Sequence, residues 1–330
     1  MGWLQAHWYR KTIVSFVLLP VSWLYLAVAT LRRTLYRVGV IRATRVPVPV
    51  IVIGNITVGG TGKTPLVLWL AQCLQAQGYK PGVVSRGYGG RATNYPIYVT
   101  ERSDPRQVGD EPVLLARHGA CPVIVAPKRA LAAQKLVAEH HCDVVISDDG
   151  LQHYAMARDF EVAVIDGERR FGNGYCLPAG PLRESPARLR AVHAQVTHGV
   201  PRTGELGMRL QAVCFRSLIV PDSKRDLASF AGQRVHALAG IGNPGRFFQQ
   251  LRELKIDVVE HVFADHYFYR RQDIECGDDA PVIMTEKDAV KCQSFADQRH
   301  WYLVVEAEPD PALADKVLGF LRNQKLVTGA

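Results

Sequence analysis

Gly59, Gly60, Gly62, Lys63 and Thr64 fall together in "ITVGGTGKTP" (56–65). Amides of closely spaced glycines can wrap an anion at the start of a helix. A lysine beside them can reach further phosphate oxygens, and a threonine hydroxyl can ligate a divalent cation. The run departs from the usual G-x-x-x-x-G-K-[ST] pattern at one place, because Thr57 stands where the first glycine belongs. The departure is chemically tolerable. The first glycine eases the chain out of its strand, whereas the later ones make the close approach to phosphate. The candidate nucleotide-phosphate cradle is therefore Thr57, Val58, Gly59, Gly60, Thr61, Gly62, Lys63 and Thr64, with Lys63 also a candidate catalytic group.

A phosphate loop needs acidic partners on another strand. "CDVVISDDG" (142–150) supplies Asp148 and Asp149 at the end of a β-branched run. One of the two should hold Mg²⁺, together with Thr64, and the other should serve a water or the metal's outer shell. The residues themselves leave open which does which. Three further stretches offer groups for an acceptor. "SRGYGGR" (85–91) carries Arg86, Tyr88 and Arg91 among glycines, and an arginine there can clamp a phosphate. "VGDEPVLLARH" (108–118) places Asp110 and Glu111 before an apolar helical run, where Asp110 is equally readable as a helix cap. "GNGYCLPAGPLRES" (172–185) is a long Gly/Pro loop ending in Arg183 and Glu184. Downstream, "FADHYFY" (263–269) sets His266 beside Asp265 and aromatic rings, a setting that also suits a structural histidine.

The elements that must carry these residues alternate. "VPVIVIGN" (48–55) reads as a buried parallel strand, and "PLVLWLAQCLQAQG" (65–78) as the helix after the glycine loop. Apolar runs at 80–87, 121–129 and 160–167 add strands, and "RALAAQKLVAEH" (129–140) reads as a helix between them. This predicts a P-loop NTPase-like α/β fold, a doubly wound and mainly parallel sheet, over 47–206. From residue 207 the pattern changes to an alternating ribbon, "GMRLQAVCF", followed by "FAGQRVHALAGIGNPGRFFQQLREL" (230–254) and strands within 280–291 and 301–310. We expect a second, smaller α/β domain over 207–330.

The net charge of +9 is local rather than general. Arg10, Lys11, Arg32, Arg33, Arg37, Arg42 and Arg45 lie in the first 46 residues, which contain no acid, so the remainder is close to neutral. That excludes nucleic acid as a partner. The seven scattered cysteines form no C-x-x-C pair, so neither a disulfide framework nor a zinc site is expected. Between Lys11 and Arg32 runs the uncharged "TIVSFVLLPVSWLYLAVATL", flanked by aromatic and basic residues. As one helix it would match a bilayer's hydrocarbon core, predicting an N-terminal membrane helix over 1–46 with the body on the cytoplasmic face. An interfacial helix is the alternative, and Pro20, Ser15 and Ser22 speak for it. Signal-peptide cleavage at "AVA" (27–29) would export the body away from ATP and is set aside.

Seven motifs in order, "GNITVGGTGKTP", "SRGYG", "GDEP", "DDGLQH", "GNGYCLPAGPLRE", "DHYFY" and "TEKDAVK", make the chain resemble the tetraacyldisaccharide 4'-kinase family, a lipid A enzyme of Gram-negative inner membranes. The resemblance implies transfer of the γ-phosphate of ATP, with Mg²⁺, to the 4'-hydroxyl of a tetraacylated disaccharide 1-phosphate. It also implies membrane lipids as partners and an acid–base pair at Asp110 and His266. Under it Thr57 is ordinary, Asp148 and Asp149 match the metal pair, and Arg86, Tyr88, Glu111, Arg129 and Glu184 are candidate substrate contacts. Ser185 is the one departure noticed. The rival class is a membrane-associated switch ATPase acting on a protein partner. Such proteins generally carry a lysine before the paired glycines, where this chain has Val58.

Overall fold

The computed structural model describes residues 7–220 and 222–328; positions 1–6, in the expected N-terminal segment, and 221, 329 and 330, in the expected smaller domain, lie outside the described residues. The first part of the chain gives helices α1 (Ile13–Val17), α2 (Leu19–Arg37), α3 (Lys63–Ala76), α4 (Pro105–Val108), α5 (Asp110–Arg117) and α6 (Arg129–His140). Its strands are β1 (Val50–Gly54), β2 (Pro81–Ser85), β3 (Ile97–Val99), β4 (Val123–Val125), β5 (Val144–Asp148), β6 (Phe160–Asp166) and β7 (Ala194–His198). The second part adds β8 (Leu206–Ser217), β9 (Lys224–Arg225), β10 (Arg234–Ala239), β11 (Asp257–Val262), β12 (Val282–Thr285) and β13 (His300–Pro309). Its helices are α7 (Pro244–Glu253), α8 (Arg271–Ile274), α9 (Glu286–Cys292) and α10 (Ala312–Thr328).

One mixed sheet runs through the whole molecule in the order β11-β10-β12-β13-β8-β7-β6-β1-β5-β2-β4-β3, with β9 pairing β8. Pairing is parallel except at β3–β4, β8–β9 and β8–β13. Every residue of β1 is buried because helices cover both faces. Ile51 and Ile53 pack with Leu66, Leu70 and Leu74 of α3. Val50 and Val52 point the other way, into a cluster with Ala130, Ala133 and Leu136 of α6. The second part repeats the device. Ala237 and Ala239 of β10 meet Phe247, Phe248 and Leu251 of α7, whereas Leu238 joins Met284 and Tyr269. The long strand β8 pairs with β7 on one side and β13 on the other, so it links the two parallel sets.

The expected N-terminal membrane helix is overturned. No helix among the described residues is long and apolar enough to cross a membrane. The uncharged run breaks at Leu18 into α1 and α2, with Pro20 in the first turn of α2. The last turns of α2 carry Arg32, Arg33 and Arg37, which leaves an uncharged stretch of only about 20 Å. One side of α2 is also spoken for. Ser22 Oγ donates to the Cys176 carbonyl at 2.7 Å and Tyr25 Oη to the Arg183 carbonyl at 3.1 Å. Those polar contacts seat the helix on the Gly/Pro loop of the body.

Candidate active site

The glycine loop leaves β1 and enters α3, with Gly59 at φ +108° and Gly62 at φ +87°, backbone regions that favour glycine. Thr57 is buried and pairs with Leu182 in an isolated antiparallel bridge. Val58 N–H donates to the Pro181 carbonyl at 2.8 Å, and Arg183 N–H to the Ile56 carbonyl at 2.7 Å. The chain is thus extended where the usual pattern has glycine, and residues 181–183 brace it from outside. Buried Asn55 steadies the cradle from within, its amide donating to the Thr61 hydroxyl at 3.3 Å and the Gly59 carbonyl at 3.4 Å.

Lys63 opens α3, and its Nζ lies 3.5 Å from Asp149 Oδ1. Thr64 follows it on the same turn, half-buried. Arg183 Nη1 bonds both oxygens of Asp149 at 2.8 and 3.0 Å. Burial alone would raise the Asp149 pKa, but Lys63, Arg183 and Arg129 override it and hold this carboxyl well below its usual range. Asp148, at the end of β5, is fully buried and differs sharply. Its Oδ2 accepts from Ser85 Oγ at 3.4 Å, while its Oδ1 has no partner. Burial pushes it up to about 7, with the negative charges of Glu111 and Asp149 adding to the shift. A buried carboxylate oxygen without a donor, on the strand beside the cradle, suits a hard cation. Thr64, Asp148 and Asp149 therefore fit a Mg²⁺ ion by donor chemistry.

The second cluster assembles across the chain. Asp110 begins α5, buried, and His266 sits at φ +59° in the loop after β11. His266 Nδ1 lies 3.0 Å from Asp110 Oδ2 and 3.2 Å from Oδ1. Burial would raise Asp110, but Lys287, His266 and Lys291 bring it down to about 2. Burial, the largest single effect, would lower His266, but its hydrogen bond to Asp110 together with the negative charges of Asp110 and Asp265 outweighs this and raises it. Lys287 Nζ reaches Glu111 and Asp265 at 3.2 Å each and lies 3.4 Å from His266 Nε2. Glu111 feels both Lys287 and Asp148, so a line of charges connects the dyad to the acid pair. A cavity of about 820 Å³ opens beside the dyad, lined by Asp110, His266, Tyr88, Arg117, Arg216 and Lys291 among others. That is the size range of small-molecule sites.

The candidate acceptor residues separate. Tyr88 is exposed and meets the His266 ring edge-on, with centroids 5.0 Å apart. Arg86 is exposed at the end of β2, near enough to Arg129 for their charges to repel. Arg129 is buried and donates to the Asp149 carbonyl at 3.0 Å. Glu184 is buried too. Its oxygens accept from Gln152 Nε2 at 2.9 Å and from the Tyr154 hydroxyl. These last two hold other site residues rather than facing open space.

Sequence reasoning missed three groups. In the sequence Arg183 reads only as the end of a loop, and Lys287 only as part of a motif. Gly242, in the loop after β10, packs so closely on the cradle that a Cβ there would lie 2.6 Å from Gly60 N. A G-x-G-N-P-G run opening a helix was the available signal, but nothing local says that it faces another glycine loop.

Fold and site define an ATP-dependent phosphotransferase built on a P-loop α/β sheet. The family model described as tetraacyldisaccharide-1-P 4'-kinase matches residues 14–322. Proteins named tetraacyldisaccharide 4'-kinase are similar along almost the whole length. The one from Alkalilimnicola ehrlichii is 51% identical over 320 residues, covering 96% of each chain. The one from Nitrosococcus oceani is 48% identical over 317 residues, covering 96% of this chain and 94% of its own. A crystal structure of "apo" form LpxK from Aquifex aeolicus in complex with ATP superposes with a TM-score of 0.79 at 27% identity, covering 94% of this chain and all of that one. The chain belongs to the tetraacyldisaccharide-1-P 4'-kinase family. Its activity is ATP-dependent transfer of phosphate to a lipid A disaccharide precursor, which decides against the switch ATPase, and membership implies association with the inner membrane.

Proposed function

We propose that Asp110 takes the proton of the acceptor's 4'-hydroxyl as that oxygen attacks the γ-phosphate of ATP, with His266 setting the orientation and basicity of Asp110. The observation that carries this reading is the 3.0 Å contact between the two beside the cavity. A base must lie within hydrogen-bond reach of the proton it removes, and a cavity bordered by Asp110 lets a sugar alcohol approach it. The backbone amides of Gly59, Gly60, Gly62 and Lys63 and the Lys63 ammonium hold the transferring phosphate charge. Thr64 and Asp148 hold Mg²⁺, while Asp149 keeps Lys63 and Arg183 in place at its margin. When bound, the cation neutralises phosphate charge. Arg86, Tyr88 and Glu111 serve the acceptor side. Arg129 and Glu184 act through Asp149 and Gln152.

In this reading the chain works as an N-terminal segment (1–46), a P-loop kinase domain (47–206) and a smaller domain (207–330). Asp110 comes from one domain and His266 from the other, so their approach completes the site. The outer side of α2 exposes Val21, Trp23, Leu24, Val28 and Leu31. That stripe, with Arg32, Arg33 and Arg37 beyond it, suits contact with the lipid surface on the cytoplasmic side, where the acylated substrate is presented.

Purified full-length protein in detergent tests the reading. ATP consumption should rise sharply when a lipid A disaccharide 1-phosphate precursor is added, the lipid should gain one phosphate, and DNA should have no effect. Equal ATP turnover with and without the lipid would count against it.

A further inference from the structure

Outside the residues that line the dyad's cavity, at the outer edge of the sheet, three potential ligands converge. His236 belongs to β10, His261 to the edge strand β11, and Cys276 to the loop after α8. One ligand atom from each lies within 4.8 Å of the others. His236 is buried, while His261 and Cys276 are reachable from solvent. No disulfide engages Cys276.

The hydrogen bonding around this cluster is that of a ligand set. His236 Nδ1 and His261 Nε2 approach to 2.8 Å. Two imidazole lone pairs cannot face each other at that distance, so one ring donates a proton to the other, and a cation that replaces this proton would take both lone pairs with the two rings moved slightly apart. On its far side, His236 Nε2 lies 2.9 Å from Asp278 Oδ1. Asp278 is itself fixed by the Ala280 N–H at 3.0 Å. A carboxylate accepting from the distal ring nitrogen of a histidine fixes the tautomer and aims the other lone pair, which is how metal-binding histidines are held. Thiol, imidazole and imidazole form a nitrogen–sulfur set that selects zinc-like cations and suits Mg²⁺ poorly.

We infer that His236, His261 and Cys276 bind one thiophilic divalent cation of the zinc class, with Asp278 as the outer-shell partner of His236. On binding, the Cys276 thiol loses its proton to solvent and the thiolate coordinates the metal, as does each imidazole through a lone pair. The ion ties the edge strand β11 and the 276–280 loop to β10. Its role is to staple the sheet edge of the segment that also carries His266, separate from phosphate chemistry.

The test uses full-length protein without a histidine tag, stripped with chelator, kept reduced, and titrated with Co²⁺ and then Zn²⁺. The wild-type chain should bind one equivalent of Co²⁺ with a thiolate-to-cobalt charge-transfer band. Zn²⁺ should displace it and excess Mg²⁺ should not. Cys276→Ser should abolish the band, and Asp278→Asn should weaken binding by roughly 10–100-fold. Both sites are at least partly exposed, so folding should survive, and Mg²⁺-dependent kinase turnover should stay within about twofold, as ±0.5 kcal/mol surface changes allow. A band that persists in Cys276→Ser, or the lack of any saturable thiolate band in the wild-type chain, overturns the inference.

Discussion

His266 Nδ1 lies 3.0 Å from Asp110 Oδ2, although 156 positions separate them in the chain. Neither residue is a convincing catalyst alone. Asp110 is an acidic residue at a helix start, and His266 is a histidine among aromatics. Their contact gives a carboxylate whose basicity depends on its neighbour. Asp110→Asn and His266→Gln should each lower kcat by roughly 10²–10⁴-fold while leaving ATP affinity near normal. The double variant should lose little more than the worse single one, because the two act as a unit. Steady-state kinetics with equilibrium ATP binding checks this. Fully additive losses would separate the two roles.

The pH dependence follows from the same contact. Protonated His266 helps hold Asp110 at about 2, so the carboxylate becomes a better base as His266 loses its proton. Turnover should climb with pH through the raised His266 pKa, and His266→Gln should flatten that limb. Stability moves the opposite way. The folded His266 pKa is raised above an unfolded value of about 6.5, so the ion pair contributes fully below that value and is lost as pH rises through the folded one. Paired rate and melting profiles of both proteins from about pH 6 to about pH 9 decide it.

Gly242 and Gly60 bring two glycine loops within backbone contact. A Cβ at 242 would meet Gly60 N at 2.6 Å and Gly59 Cα at 3.3 Å, with no flexible side chain to yield. Gly242→Ala must displace one loop, an overpacking cost of about 1–3 kcal/mol. The KM for ATP should rise about 5–150-fold, in line with that cost. An unchanged ATP titration would mean that the two loops part without disturbing the cradle.

The exposed stripe on α2 can be removed without touching the side of the helix that Ser22 and Tyr25 anchor. Replacing Trp23, Leu24 and Val28 with serine gives up about 1.5–3 kcal/mol per side chain that the lipid would have buried. Co-sedimentation with anionic vesicles should fall more than tenfold, by the one decade that each 1.4 kcal/mol represents. Turnover on detergent-solubilised substrate should hold. Vesicle binding that survives the triple change would remove the stripe from the membrane account.

Much of this protein is legible in its residues, and the reason is locality. A glycine cradle, its lysine and the two aspartates are each built within a few residues of one strand end, so the pattern of Gly59 to Thr64 and of Asp148–Asp149 announces itself. The alternation of β-branched runs with helical spacing likewise reports a sheet wrapped on both faces, because burial on both sides imposes it. The N-terminal run misled the reading for a physical reason. Hydrophobicity reports that a side chain avoids water, and gives no information on whether lipid or a protein loop takes its place. The break at Leu18, the arginines in the last turns, and the seat of Ser22 on Cys176 turned a candidate span into a docked helix. Tertiary structure alone decided the rest. It made Thr57 harmless by laying Leu182 beside it, gave Asp149 to Lys63 and Arg183 while leaving Asp148 an oxygen without a donor, closed Gly242 over Gly60, and joined Asp110 to His266. Each is a contact between distant stretches. Such contacts form when the whole core packs, and no spacing along the chain encodes them.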